Sequence, residues 1–363
     1  MALLEYADLT VPDLVKKSVV SFYHSDPLLK QLQSKQLVKR SGGTQVRFKR
    51  IKGGHSDVTE INDFNMSVPL VRYETYSTMT GDWTRYIKPI ILPHITRDRL
   101  PTPGEKAQWV KEETDAAMMA LRNDVVKQIY MGNVTTLAGL GTLNGYNTAG
   151  TSAGFANGAL RFQTPTQQNA AAITYLNEQR VLDTAAGLDN WYNQFIAMTT
   201  GIGTDFLSTF EEIKFTADSF ADDNSAISLG ICNIQDHVAM AEEVRSYPGG
   251  ANNAAALMYT VDDLNSGKAH PSVHIVNGVQ FYSNRFITDA AIDGTGTTST
   301  DHVYLLNPAG IEYWVNANND FRVTKFQDHL EVSNTDADVG YIILEIQFAV
   351  SNLLTQGCTA VIT

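Results

Sequence analysis

Read by its hydrophobic and polar positions, the chain opens with two short amphipathic pieces. Leu14, Val15, Val19 and Phe22 fall on one helical face after Pro12, and Asp26-Pro27 opens a second turn through Leu28, Leu29 and Leu32. Pieces this short are marginal alone and need a surface to lie on, their own chain's or a neighbour's. Residues 44–51, TQVRFKRI, then switch to period two, with Val46 and Phe48 on one face and Arg47 and Lys49 on the other. Gly53-Gly54 supplies turn chemistry, and 56–61 begins a return strand. Such a ribbon is too narrow to own a core and is expected to project. Further extended segments are predicted at 71–73 and 86–92.

A helix follows. Thr102-Pro103-Gly104-Glu105 sets Thr at the N-cap, Pro at the first helical position and Glu at the capping-box position. Val110, Ala117, Leu121, Val125 and Ile129 mark one face as far as Gly132, so the spacing predicts a helix over 103–131, about 43 Å long at 1.5 Å per residue. Its leading acids (Glu105, Glu112, Glu113) and late Lys127 agree with the helix dipole. Residues 136–163, rich in Gly, Thr, Asn and Ala, read as a long loop. Thr164-Pro165 with Gln167 predicts a second capped helix, its face Ala172, Leu176, Gln179 and Leu182, ending at Gly187.

Beyond it the periods alternate: extended at 194–199, helical through Phe206, Phe210 and Ile213, extended at 227–232, helical at 234–246. Val273–Val276, Asn277-Gly278 and Val279–Tyr282 form a two-residue hairpin signal. The tail is mostly strand, at 302–306, 321–326 and 341–350; in the last, Ile342, Leu344, Ile346, Phe348 and Val350 make one fully apolar face. The class is α+β, with no internal repeat.

Charge changes the picture. The net charge is −12, yet residues 1–52 hold ten bases against four acids, so the remainder carries −18. A basic arm on an acidic body suggests association between unlike surfaces or an arm that meets nucleic acid, although a charge run is usually a solvated face. With 43% hydrophobic and 18% charged residues the chain is neither a disordered tail nor a membrane protein. Its first twenty residues lack a signal-peptide pattern, and no apolar stretch reaches the ~18 residues of a membrane span. Two cysteines, Cys232 and Cys358, make no disulfide framework and point to a reducing compartment, where the sequons at Asn65 and Asn133 mean little.

No constellation assembles a reaction. Gly139–Gly145, GLGTLNG, has one residue too many for a dinucleotide loop and follows a helix instead of a strand. His270 and His274, four apart, sit on an extended segment where that spacing means ~13 Å. Asn334, Asp336, Asp338 and Glu345 match four calcium-loop positions, but the glycine is late, at Gly340, and a strand follows; a polar turn explains the same letters. Cys232 reads as core, and Cys358 has no basic neighbour to activate it. The pairs Glu112-Glu113 and Glu211-Glu212 read as solvated helix surface. The sequence therefore predicts no catalytic residue, metal or cofactor.

The order of elements carries more. TQVRFKRIKGG, then PGEKAQWVKEETDAAMMALRNDVVKQIYMG, GLGTLNG and DVGYIILEIQFAVSNLLTQG together resemble the extended loop, spine helix, joint and closing strand of tailed-bacteriophage major capsid proteins of the Hong Kong 97 fold. The resemblance implies an N-terminal arm (1–43), an extended loop with flanking strands (44–95), and a peripheral domain with spine helix and joint (96–163). A mainly axial domain (164–300) and a return to the peripheral domain (301–363) complete it. It implies a structural, non-enzymatic shell subunit around a double-stranded DNA genome. Such a subunit forms hexamers and pentamers of itself, with portal, scaffolding and decoration proteins as partners and only weak contact with packaged DNA. It would lie in the virion capsid, and in the host cytoplasm during assembly. The chain lacks the long charged helical N-terminal segment that serves some relatives as a scaffold. Arg47, Lys49, Arg50 and Lys52 are the expected assembly contacts; some members crosslink loop lysines to a neighbour's asparagine. The rivals are an encapsulin-like compartment shell and, from another class, a metal-dependent hydrolase using some of His270, His274, Asp336 and Asp338.

Overall fold

The structure, a computed structural model, describes residues 3–24, 26–51, 76–100, 102–131, 160, 174–175, 178–179, 191–221, 226–246, 273–287, 290–291, 298–299, 302–328 and 336–361. The turn at Gly53-Gly54, the strands expected at 56–61 and 71–73, the 139–145 loop, Lys52, His270 and Asn334 lie outside the described residues. The chain forms two compact units. One holds residues 1–46, 81–128 and 312–348; the other holds 47–80, 129–311 and 349–363.

In the first unit, helix α1 (Leu3–His24) differs from its expectation by running straight through Pro12. Its buried face, Ala7, Val11, Val15 and Phe22, repeats every turn or two, and this tertiary contact outweighs the one backbone hydrogen bond that proline removes. Asp8 accepts a hydrogen bond from the Phe326 amide at 2.8 Å, and the Phe22 ring meets Phe321 edge-on at 5.0 Å. The arm's apolar faces therefore have a surface within their own chain. Helix α2 (Pro27–Ser34) is capped by Asp26, which accepts from the Leu28 and Leu29 amides.

A six-stranded sheet anchors this unit around one long strand. Its members are β1 (Val38–Ser41), β4 (Thr84–Pro93), β14 (Ile311–Asn316), β15 (Arg322–Val323), β16 (Gln327–Asp328) and β17 (Ala337–Val350). The apolar alternation of 342–350 is fully buried. Antiparallel pairing of β17 with β4 runs in register from Ala337↔Pro93 to Ile346↔Thr84. On the far side β17 takes β16 and β15, with Asp328 opposite Asp338 and Val323 opposite Ile342. Strand β4 leads directly into the short helix α3 (His94–Arg99).

Helix α4 spans Pro103–Met131, as its pattern predicts. The capping box is reciprocal: the Thr102 amide donates to Glu105 and the Glu105 amide to the Thr102 hydroxyl. Every member of the predicted face, Val110, Ala117, Leu121, Val125 and Ile129, is buried. The helix expected after Thr164 is corrected where it is described. Residues 174–175 (β5) and 178–179 (β6) pair antiparallel, Thr174 opposite Gln179. A β-branched and an aromatic residue side by side prefer extended backbone, and an isolated four-residue apolar spacing did not outweigh them.

The second unit is built on another six-stranded sheet, in the order β9 (Val273–Val276), β10 (Val279–Ser283), β8 (Leu229–Cys232), β13 (His302–Leu306), β18 (Gly357–Val361), β7 (Gln194–Met198). Two-residue pairs β11 (Ala290–Ala291) and β12 (Thr298–Ser299) form a small separate ribbon. Asn277 and Gly278 both hold positive φ (48° and 80°), the primed turn that matches strand twist, so β9 and β10 close as the predicted hairpin. Helices α5 (Ile202–Asp218) and α6 (Ile234–Ser246) pack together and supply the core with the sheet. At its centre Phe206 and Phe210 stack at 5.6 Å and Phe281 meets both edge-on at 5.4 Å. Cys232 and Cys358 are both buried free thiols, and burial pushes the Cys232 pKa well up.

Candidate assembly surface

The ribbon that sequence reasoning singled out is β2 (Gln45–Ile51), paired with β3 (Tyr76–Asp82). Its alternation is as expected for four positions: Val46 and Phe48 are buried, Arg47 and Lys49 exposed. Arg50 departs from the expectation of an outward-facing contact. Period two continues from Val46 through Phe48 to Arg50, so its side chain turns inward and is only 4% exposed. Its guanidinium carbon sits 4.7 Å from the centroid of the Trp191 ring, a cation–π seat within the second unit. The alternation itself carries the signal, because position parity and not charge sets which face a strand residue takes.

Other basic residues of the arm face acids of their own chain. Lys39 meets Glu312 at 2.7 Å and lies over the Trp314 ring, whose indole N–H donates to the same carboxylate. Arg40 meets Asp320 at 2.7 Å, and Lys16 meets Asp13 at 3.4 Å. These pairs are partly or well exposed, so each is worth at most about 1 kcal/mol. They nonetheless reduce the positive field that the composition alone would place on the arm.

A polar cluster that the sequence did not reveal lies at one end of the first unit's sheet. His94 Nδ1 is 2.6 Å from Asp336 Oδ1, His94 Nε2 is 3.0 Å from Asp338 Oδ1, and Arg97 Nη1 is 3.5 Å from Asp338 Oδ2. The hydrogen bond to Asp338 raises the His94 pKa against the opposing effect of burial, with Asp336 adding to it. Asp336 and Asp338 are two of the four calcium-loop positions weighed above. Glu345 is not with them: seven residues along the same strand, roughly 23 Å at the usual rise, it binds Arg85 and accepts from Asn316 at 2.6 Å. His274 stands in β9 opposite Phe281, on the other unit's sheet. Among the described residues, Asp336 and Asp338 come together with His94, a residue the sequence did not single out.

No protein-family model matches the sequence, and no curated protein does. Solved structures do. The capsid of a native GTA particle aligns with 91% of this chain and 89% of its own, at a TM-score of 0.50 and 13% identity. The capsid of the empty GTA particle aligns over the same shares, at 0.50 and 11%. The chain has the Hong Kong 97 capsid fold. A chain from Mycobacterium phage Bobi aligns over 90% of this chain at 0.47 and 11%. At such identities the likeness is one of fold, and side-chain roles do not transfer with it. Among the described residues no helix is long and apolar enough to cross a membrane.

Proposed function

We propose that this chain is a major capsid protein, a structural subunit that assembles with copies of itself into the closed icosahedral shell around the double-stranded DNA of a tailed bacteriophage. The observation that carries the reading is the Hong Kong 97 fold, aligned with a GTA capsid over about nine-tenths of both chains. The β2–β3 ribbon acts as the extended loop, and α4 as the spine helix of the peripheral domain. The second unit supplies the axial domain, and β17 is the closing strand. Arg47 and Lys49, on the exposed face of a ribbon too narrow for its own core, dock on the acidic surface of a sister subunit. An acidic body also avoids sticking to packaged DNA. Portal, scaffolding and decoration proteins are the further partners this reading implies, and the virion is its location.

The test starts with light scattering on the purified protein, which must show megadalton particles. The double variant Arg47→Glu/Lys49→Glu, with Arg50 left on Trp191, is then compared by circular dichroism and negative-stain microscopy. A folded subunit without shells is the expected result. Normal shells from the double variant would remove these two residues from the assembly surface, and a wild-type protein that stays monomeric would remove the shell.

A further inference from the structure

The end of the first unit's sheet holds a grouping to which the proposed function assigns no role. Its origin is register. Pairing of Ala337 with Pro93 and Asp338 with Leu92 continues past the strand end, where the His94 amide donates to the Asp336 carbonyl at 3.1 Å. On the other side of β17, Asp338 stands directly opposite Asp328. Positions 94, 336, 338 and 328 therefore share one face of three adjacent strands, because side chains alternate with period two.

Two carboxylates directly opposed across strands repel each other, and here one of them, Asp338, is 1% exposed. A buried carboxylate needs opposite charge close by. Three carboxylates gather around one imidazole, and Arg97, which meets Asp338 Oδ2 at 3.5 Å, also pairs with Asp98 at 3.2 Å. The arrangement invites a cation. A ring nitrogen of His94 and one oxygen each of Asp328 and Asp338 lie within 4.8 Å of one another. The 3.0 Å between His94 Nε2 and Asp338 Oδ1 is already close to the about 3 Å that separates neighbouring ligands around a metal with 2.0–2.2 Å bonds.

We infer that His94 Nε2, Asp338 Oδ1 and Asp328 form a binding site for a divalent transition-metal cation, zinc or cobalt(II) in class, that ties β4, β17 and β16 together. The imidazole ligand selects against calcium and magnesium, which take oxygen alone. Asp336 supplies the outer support. It accepts the Nδ1 proton at 2.6 Å, which fixes the ring and directs Nε2 toward the two other carboxylates, the carboxylate–histidine–metal pattern. On binding, the metal replaces the proton that Nε2 otherwise shares with Asp338, and that proton leaves to solvent. With three protein ligands, water completes the coordination. The inference stands apart from the capsid reading, since it rests on this chain's own strands.

The test uses the full-length protein, stripped with a chelator and then titrated with zinc by calorimetry and with cobalt(II) by visible absorption. The expected result is one zinc per chain and ligand-field bands from cobalt, with binding roughly tenfold or more weaker in both His94→Gln and Asp328→Asn. Asp328 is exposed, so its variant folds whether or not His94→Gln does. Asp336→Asn should weaken binding by roughly 10–100-fold while keeping the cobalt bands. No saturable binding to the wild type, or binding unchanged in Asp328→Asn, overturns the site.

Discussion

Leu121→Ala should be a severe change and Met119→Ala a mild one, although the two residues sit two positions apart on the same helix. Leu121 is 2% exposed on the buried face of α4, and Met119 is 53% exposed. Truncating leucine to alanine removes three buried carbons, about 2.4 kcal/mol of transfer free energy at ~0.8 each. The cavity left behind raises the cost toward about 5 kcal/mol, depending on how far the neighbours close in. Leucine, methionine and alanine are all good helix formers, so Met119→Ala controls for propensity and should stay within about 0.5 kcal/mol. For domains of this size class the difference is about 5–20 °C in Tm. The assay is thermal and urea unfolding of dissociated subunits, because assembly would add its own stabilisation by mass action. If the two variants melt together, α4 is rotated from the face its pattern predicts, and its burial has been wrongly assigned.

Gly230→Ala should destabilise the second unit by about 1–3 kcal/mol by overpacking, since a Cβ there would sit 2.2 Å from Phe281 Cδ1 in the centre of the aromatic cluster; a near-wild-type urea midpoint would refute that packing. Glu345 is the acid-sensitive position: burial would raise its pKa, but hydrogen bonds from Asn319, Arg85 and Asn316 outweigh burial and hold it below the usual carboxylate range. A depressed carboxylate contributes fully above its unfolded pKa of about 4.3 and loses that contribution as pH falls through the lower folded value. The stability gap between wild type and Glu345→Gln should therefore be largest near neutral pH and shrink below about pH 4; a gap independent of pH in urea titrations would show that the contacts do not depend on charge.

Much of this molecule was legible in one dimension, for a reason that is local. The 103–131 helix, the Asn277-Gly278 hairpin and the apolar face of 342–350 each rest on signals contained within one element: a capping box, a turn that demands positive φ, an unbroken period. The order of extended loop, spine helix, glycine-rich joint and closing strand also anticipates the Hong Kong 97 fold. The alternation of β2 contained even the burial of Arg50, which the count of positive charges obscured. What remained closed to the sequence was decided by packing and register. Pro12 stays inside α1 because contacts hold the helix on both sides of it, the Phe326 amide on Asp8 and the Phe321 ring on Phe22, and residues 174–175 pair with 178–179 as strands where the spacing predicts a helix. Nothing in the letters brings His94 to Asp328, 234 residues away. Only the ladder of β4 on β17 and β17 on β16 places them on one face, because strand register is settled by the whole sheet's buried side and not by any segment of it.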